Sequence, residues 1–294
     1  MSPSGLSRRF AILIVPPVLC VCGAYLGEGP DCRLDGEPVS LPRVLAETSG
    51  LAVGILNPDF VWTHNDSGHD PILYALDAQG QIRAEVEIDG NNRDWEDMDR
   101  GRCDLGSCFY VADTGDNQER RRSPSLYRIA EPDPTEDARV DAERYRMLFP
   151  DGPRDMEAMY VLPGERVFFV TKGRNHAVTI YRYPPPLRPD EVVTLEAVQT
   201  LTEGPVAPPR MVTGASATLD GNRVVIRTYE TLEFFEVTDD GRLSRLTDSR
   251  VNLRTLRESQ GEGVAFDGNE RVILSSESGF ASRPSIVSLV CTIE

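Results

Sequence analysis

Oxygen-bearing side chains recur at one position of a short motif that appears five times along the chain. The position directly precedes an apolar run, which opens with a small residue in four of the five copies, and its occupants are Ser49, Glu96, Glu157, Thr213 and Glu262. The set holds carboxylates and hydroxyls but neither histidine nor cysteine, and oxygen-only sets suit hard cations such as calcium. If the five positions converge, the pattern predicts a calcium site.

Carboxylates that are brought together also repel one another. At about 5 Å and an effective dielectric constant of ~20, each pair costs roughly 3 kcal/mol. A bound cation or protonation relieves this repulsion, and so would ion pairs with arginines just upstream, such as Arg93, Arg154 and Arg210. We expect the cation, and the pattern leaves open whether it is structural or takes part in a reaction.

The motif opens a longer internal repeat, whose copies predict the strands that must position these residues. The first runs of the copies span 48–53, 95–100, 156–161, 212–217 and 261–266. Each is followed by a turn and by a second and third β-rich run, and a fourth run can be drawn in the first four copies. Four antiparallel strands repeated at this length are typical of β-propeller blades. The sequence therefore predicts an all-β, five-bladed β-propeller, with a six-bladed ring as the alternative.

The N-terminus is expected to complete the last blade. The fifth copy holds only three strand-like runs, and the segment around 38–45 is the candidate for the missing outer strand. Four cysteines follow the N-terminal apolar run, and an even number in an exported chain indicates two disulfides. Of the three connectivities, we predict Cys32–Cys291, which would join the two ends of the domain, and Cys103–Cys108, which would bridge a tight hairpin.

Residues 1–24 have the pattern of an export signal. Arg8 and Arg9 precede an uncharged apolar run, which ends in small residues suited to cleavage after Ala24. A lipoprotein signal and an uncleaved membrane anchor are the alternatives. We expect residues 25–294 to form a single β-propeller domain in the periplasm, outside the cell or at the envelope, with membrane contact only through the N-terminal segment.

The charge of the chain limits its partners. A net charge of −16 argues against binding to nucleic acid, because phosphate backbones require a basic surface. We expect a monomer that binds a small anionic or polar ligand or an envelope protein.

Further polar residues are expected on the face that carries the ring position. The second strand of each blade should end there, because neighbouring strands run antiparallel. The predicted ligand contacts are Asn65, Asp66, Arg93, Asp94, Asp113, Asp116, Asn117, Lys172, Arg174, Tyr229 and Glu277. The basic members would hold an anion. The alternative is that this set is ordinary turn chemistry on a solvated surface.

The sequence does not decide whether the protein is an enzyme. It contains no G-x-S-x-G nucleophile elbow, no phosphate-binding G-x-x-x-x-G-K loop and no zinc-spaced Cys/His set. If the protein is catalytic, the pattern favours metal-assisted hydrolysis, with Asp113 or Glu277 as the base.

Two motifs resemble the inner strands of known propeller families. They are Glu47-Thr48-Ser49-Gly50-Leu51 and Gly261-Glu262-Gly263-Val264-Ala265. The order Ser, Glu, Glu, Thr, Glu around the ring resembles that of the soluble calcium-activated nucleotidases, or apyrases, which are five-bladed and hold a central calcium. The SGL and EG motifs are similar to the SdiA-regulated family of bacterial envelope propellers and, more loosely, to the esterase-like-activity-of-phytase group.

These resemblances imply the fold and the calcium ring, and they do not imply an activity, because the nucleotidase's substrate residues cannot be placed on this chain. The sequence thus predicts an exported envelope propeller that binds calcium centrally and an unidentified ligand or partner on the same face. The alternative is a calcium-dependent phosphoester hydrolase, nucleotidase-like or phytase-like.

Overall fold

The computed structural model describes residues 31–280 and 282–293, with the side chain of Asp248 excepted; the expected export signal lies outside these residues. Regular structure is almost entirely β. The helical segments within the described ranges are three short 3₁₀ turns, Arg43–Leu45, Pro208–Arg210 and Arg254–Leu256. None of them has the length and apolar character to cross a bilayer.

The strands form five sheets. Two short N-terminal strands, β1 (Asp31–Leu34) and β2 (Val39–Ser40), come first. The next four are β3 (Thr48–Val53), β4 (Val61–Asn65), β5 (Ile72–Leu76) and β6 (Ile82–Ile88). They are followed by β7 (Trp95–Cys103), β8 (Gly106–Asp113), β9 (Ser125–Ala130), β10 (Ala138–Val140) and β11 (Glu143–Leu148).

The C-terminal half continues the same pattern. Its first group is β12 (Met156–Leu162), β13 (Arg166–Thr171), β14 (Thr179–Arg182), β15 (Val192–Thr194) and β16 (Glu196–Thr200). The second is β17 (Val212–Ala217), β18 (Arg223–Thr228), β19 (Thr231–Val237) and β20 (Leu243–Asn252). The last is β21 (Gly261–Asp267), β22 (Arg271–Ser276) and β23 (Ser285–Thr292).

Each sheet is one blade of a five-bladed β-propeller, as predicted. The inner strands are β3, β7, β12, β17 and β21, and each begins at the start of a predicted repeat copy. Each inner strand contacts the next around the ring, and β21 contacts β3, which closes it. Apolar side chains between neighbouring blades form the core clusters.

The connections between blades strengthen the outer edge of the first two. Strand β10 leaves the second blade and pairs in parallel with β6 of the first, and β15 pairs in parallel with β11 of the second. Each of these blades therefore has a fifth strand that comes from the following segment of the chain, so adjacent blades are tied together at their outer edges as well as at the axis.

The two ends of the domain share the last blade, as predicted. Strand β1 pairs antiparallel with β23, and Cys32 lies opposite Cys291. These cysteines form one disulfide, and Cys103 and Cys108 form the other. Such bonds are typical of exported proteins.

The outer strand lies earlier in the chain than the segment predicted for it. Within 38–45, only β2 pairs with β23, over two residues. Pro38 and Pro42 flank this short ladder and have no backbone N–H to donate, which is why the full outer strand is β1.

Aspartates of β7 occupy the channel between the inner strands. The Asp97 carboxylate accepts hydrogen bonds from the backbone N–H groups of Met159 (2.9 Å) and Ala215 (3.0 Å). Met159 lies on the inner strand of the neighbouring blade, whereas Ala215 lies on that of the blade beyond it. Asp97 thus joins three inner strands through groups that would otherwise be buried without a partner.

Asp99, two residues further along β7, bonds the same two inner strands. Asp99 accepts from the N–H groups of Val161 (2.8 Å) and Ala217 (3.3 Å). Arg100, also fully buried, contacts Asp99 at 3.3 Å and donates across the channel to the carbonyl of Phe266 in the last blade. A buried network of charged groups therefore fills the channel below the ring position.

We expect the disulfide between the two ends to contribute much more stability than the hairpin disulfide. The Cys32–Cys291 bond spans 259 residues, and Cys103–Cys108 spans 5. Chain entropy predicts a loss of about 5 kcal/mol for Cys32→Ser with Cys291→Ser, and about 2 kcal/mol for the matched control, Cys103→Ser with Cys108→Ser. Urea unfolding of both double variants measures the difference. Equal losses would show that closure of the ring does not depend on this cross-link.

Candidate metal centre

A β-bulge lies at the ring position in every blade. The register between the inner strand and its neighbour shifts there, so that an extra residue of the inner strand lacks a partner. A bulge turns a side chain out of the strand's normal alternation. The residues in the bulges are those predicted from the motif, Ser49, Glu96, Glu157, Thr213 and Glu262, and all are buried.

The small residues that follow the ring position permit close contact between neighbouring inner strands. A Cβ atom on Gly50 would lie 2.5 Å from the backbone nitrogen of Met98. On Gly214 it would lie 2.8 Å from the carbonyl oxygen of Glu262, and on Gly263 it would lie 2.3 Å from that of Ser49. These contacts are with backbone, which cannot move aside, so the glycines are required by space.

The carboxylates form two overlapping clusters. Glu96, Asp155 and Glu157 are buried, and one oxygen of each lies within 4.8 Å of the others. Asp66 and Asp94 form the second cluster with Glu96, within the same distance. Glu96 therefore joins a buried cluster near the axis to a more accessible one beside it.

Asp155 was missed by the sequence analysis, although a signal for it exists. The tetrapeptide Arg-Asp-x-Glu occurs at 93–96 and again at 154–157. Asp94 and Asp155 occupy the same place in the two copies, two residues before a ring glutamate. Comparison of these copies would have placed both aspartates beside the ring.

Asp155 and Glu96 have carboxylate oxygens without a hydrogen-bond donor among the described residues. Asp155 accepts a hydrogen bond from the N–H of Asp116 (2.8 Å) through one oxygen, and its other oxygen is buried without a partner. The carboxylate of Glu96 accepts no hydrogen bond from any described residue and lies against Gly115, where a Cβ atom would be 1.9 Å from its Oε1. A larger residue at position 115 would therefore have to displace the Glu96 and Asp94 carboxylates.

Lys172 is the cation nearest to the ring glutamates. Its Nζ lies 2.6 Å from Oε1 of Glu157, and both side chains are buried. The upstream arginines do not take this role, since Arg154 pairs with Asp151 instead. Lys172, expected to contact a ligand, thus supplies one positive charge to the clustered carboxylates.

The other ring residues lie outside these two clusters. The hydroxyl of Ser49 donates to the carbonyl of Glu96 (2.5 Å), and that of Thr213 donates to the carbonyl of Glu262 (3.0 Å). The Glu262 carboxylate accepts from Nε2 of Gln260 (2.7 Å). The two hydroxyl contacts tie neighbouring blades together, and of the three ring glutamates Glu96 and Glu157 share a carboxylate cluster.

The carboxyl groups of this region bind protons more readily than usual. Burial raises the pKa of Glu262 to about 7 and that of Glu157 to about 8, the latter despite the opposing charge of Lys172. The pKa of Glu96 lies well above its ordinary value because of burial and the neighbouring charge of Glu157. Burial together with the charge of Asp66 raises the pKa of Asp94 to about 6.

A cleft of about 400 Å³ opens beside Asp94. Of the predicted ligand contacts, it brings together Arg93, Asp94, Asp116 and Asn117. Arg120 also lines it and was not among the predicted contacts. Within the described part of the chain, neither Arg93 nor Arg120 forms an ion pair, so both guanidinium groups are available to an anion.

Asp113, a predicted base, lies beneath this cleft. It is buried, and its two oxygens accept from Nη1 and Nη2 of Arg121 at 2.8 and 2.6 Å. One oxygen also accepts from the N–H of Asp94 at 3.1 Å. With both oxygens engaged, Asp113 positions the loop that carries Asp94 and is not placed to take a proton.

The remaining predicted contacts lie outside the lining of this cleft. Asn65 is buried and its amide donates to the carbonyl of Val44 at 2.9 Å, which is a turn-stabilising role. Arg174 is partly exposed. Burial, with the charge of Glu262 next in importance, raises the pKa of Tyr229 above its usual range and that of Glu277 to about 8.

The comparisons with known proteins support the fold. No family model matches the sequence, and no curated protein does. Among solved structures, the PQQ-bound form of an aldose sugar dehydrogenase from Streptomyces coelicolor is similar over 91% of this chain and 100% of its own, with a TM-score of 0.54 and 12% identity. The calcium structure of a Trichoderma reesei carbohydrate-active enzyme of family AA12 matches over 90% of this chain and 88% of its own, with a TM-score of 0.45 and 15% identity. The similarity to the sugar dehydrogenase, at 12% identity, shows a shared fold alone.

Protonation of Glu262, one of the three buried ring glutamates, is expected to make the free energy of unfolding depend on pH. The pKa of Glu262 is raised from 4.5 to about 7, so between these values the folded state binds more protons than the unfolded state. Stability from this group is present below pH 4.5 and is lost as pH rises towards 7, by up to about 1.4 kcal/mol per pH unit. Glutamine needs no proton, so Glu262→Gln should gain stability relative to wild type across this window.

Urea unfolding in chelator at pH 4.5, 6 and 7.5 tests this difference. Glu270→Gln, at an exposed turn of the same blade, is the matched control and should track wild type. If Glu262→Gln instead loses stability relative to wild type as pH rises, the glutamate is ionised in the folded protein and a counter-charge compensates it.

Proposed function

We propose that this protein binds a calcium ion at the mouth of its channel and a small anionic ligand in the adjoining cleft. The observation that carries the proposal is the convergence of Glu96, Asp155 and Glu157, which are buried on neighbouring blades. One Asp155 oxygen has no hydrogen-bond partner among the residues that the structure describes. An ion held by these groups would replace the missing donors.

The donor set fits a hard cation. All of the clustered ligand atoms are carboxylate oxygens, whereas zinc and copper sites commonly include His or Cys. Five clustered carboxylates face a single nearby ammonium, that of Lys172, so a divalent ion would reduce a large excess of negative charge. Calcium tolerates irregular coordination with many oxygens, whereas magnesium requires a near-octahedral site.

The cleft supports an anionic ligand. Arg93 and Arg120 line it without carboxylate partners, and Asp94 is shared between the cleft and the outer carboxylate cluster. An oxyanion in the cleft would accept hydrogen bonds from both guanidinium groups and would lie on the side of the ion site formed by Asp94. Without a bound cation, Asp94 and Asp66 would repel such a ligand, so calcium and ligand should bind cooperatively.

The two disulfides and the pattern of residues 1–24 support export to the envelope or beyond. In such a compartment calcium is abundant. The order of residues around the ring, which resembles that of the calcium-activated nucleotidases, also supports calcium as the ion. A calcium-dependent phosphoester hydrolase remains the alternative, because an ion beside two free arginines is the arrangement that stabilises a phosphoryl group. With Asp113 engaged by Arg121, Glu277 is the remaining candidate for its base.

Calcium should stabilise the folded protein through Glu96. We expect a dissociation constant on the order of 10⁻⁴–10⁻³ M or tighter, as in extracellular modules. Calcium at 100 times this constant should add about 2.7 kcal/mol to the free energy of unfolding. Glu96→Gln should lose most of this gain, because Glu96 belongs to both clusters, whereas the exposed control Glu270→Gln should keep it. Thermal melts with calcium, magnesium or chelator measure the effect. Identical wild-type melts in calcium and in chelator would rule out the site.

A phosphate-bearing probe should bind in the cleft more tightly when calcium is present. We expect Arg120→Gln to weaken binding of phenyl phosphate at least tenfold, because a hydrogen bond between charged groups is lost. Arg242→Gln, at an exposed arginine that lines neither the cleft nor any other proposed site, is the control and should leave this binding unchanged. Isothermal titration calorimetry measures the affinity, and release of phenol measures hydrolysis.

Turnover abolished by both chelator and Glu277→Gln would establish the hydrolase. Binding without turnover would leave the ligand-binding role. If phenyl phosphate binds equally to wild type and Arg120→Gln, the cleft is not the anion site.

A further inference from the structure

A second cavity, of about 130 Å³, lies between the third and fourth blades. None of the clustered carboxylates lines it. Its apolar wall includes Val178 and Val206 from the third blade and its linker, and Ile226 and Phe235 from the fourth blade. A dry apolar cavity of about 150 Å³ can hold a benzene molecule. This cavity therefore suits a single ring or a short branched aliphatic group.

The linker wall of the cavity is fixed in place. The N–H of Val206 donates to the carbonyl of Gly173 at 2.9 Å. Gly173 has a φ of +84°, and a Cβ atom there would lie 2.5 Å from Val178 and 2.9 Å from Val206. Prolines at 205, 208 and 209 further restrict the linker. The cavity is thus preformed, which lowers the entropic cost of ligand binding.

Charges at the rim favour an anion. Three arginines and two glutamates line the cavity, in a chain whose net charge is −16. Arg245 and Arg250 both pair with Glu233, the former at 2.7 Å. Glu230 pairs with an arginine outside the cavity lining, Arg254.

Arg210 is the rim group without a counter-charge. It is exposed and forms no ion pair within residues 31–280 and 282–293. The neighbouring hydroxyls of Thr228 and Thr231 hydrogen-bond to each other at 2.9 Å, so they already have a partner. Among the described residues, Arg210 is therefore the guanidinium group at the rim of this apolar cavity that has no carboxylate partner.

We propose that this cavity binds a small carboxylate whose apolar part is a single aromatic ring or a branched aliphatic chain. The apolar group enters the space between Val206 and Ile226, and the carboxylate pairs with Arg210. The site is separate from the calcium centre and does not depend on it.

Benzoate is the probe, and benzamide is its neutral isostere. In the presence of chelator, we expect benzoate to bind saturably to the wild-type protein with one-to-one stoichiometry, and benzamide to bind at least tenfold more weakly. Arg210→Gln should weaken benzoate binding at least tenfold, because the charge-assisted hydrogen bonds are lost. Val206→Phe should abolish it by filling the cavity. Titration calorimetry and ligand-observed NMR measure both effects.

Arg242→Gln is the matched control for charge, since Arg242 is exposed and does not line the cavity; it should bind benzoate like wild type. Glu96→Gln should also bind benzoate normally, whatever its effect on calcium, which separates this proposal from the proposed function. Saturable binding that is lost in Arg210→Gln and Val206→Phe supports the site. Absence of saturable binding, or equal affinity in Arg210→Gln and Arg242→Gln, overturns it.

Discussion

The inner edge of each blade must find hydrogen-bond partners in a channel where five strands converge. Asp97 and Asp99 supply them, through carboxylates that accept N–H groups from the third and fourth blades. Buried charges are tolerated only when they are paired or hydrogen-bonded. Arg100 compensates Asp99 and reaches the fifth blade. Three residues of one strand, Asp97, Asp99 and Arg100, thereby connect the inner strands of four of the five blades.

The same convergence creates the acidic mouth. Inner strands that meet closely need glycine where their backbones touch. At the ring position each inner strand also has a β-bulge, where its pairing with the second strand of the blade shifts by one residue. The bulges direct Glu96 and Glu157 towards the mouth, where Asp155 joins them. Burial makes these carboxylates costly, and Lys172 offsets only part of that cost. An acidic mouth at the axis and a basic rim between two blades thus give one strongly acidic chain two chemically opposite surfaces.

The amino-acid sequence by itself determined the architecture. Strand boundaries, the number of blades, closure by the N-terminus and both disulfides all follow from local signals: alternation, turn residues and a repeat whose copies can be aligned. The ring position itself followed too, because the motif is short and continuous in the chain. The outer strand of the last blade was misplaced, since prolines weaken the segment that looked most strand-like beside the true strand, β1. The parallel fifth strands of the first two blades, β10 and β15, were not predicted either.

Tertiary structure decided which side chains meet. Glu262 shares the ring position with Glu96 but bonds Gln260 instead of joining the carboxylate clusters. Lys172 pairs with a ring glutamate fifteen residues earlier, and Asp113 with Arg121, and the repeat did not indicate either partner. The physical reason is common to all of these cases. A repeat fixes where a residue lies along its strand, whereas the direction of a side chain at a bulge and its choice of ion partner depend on distances between strands far apart in sequence.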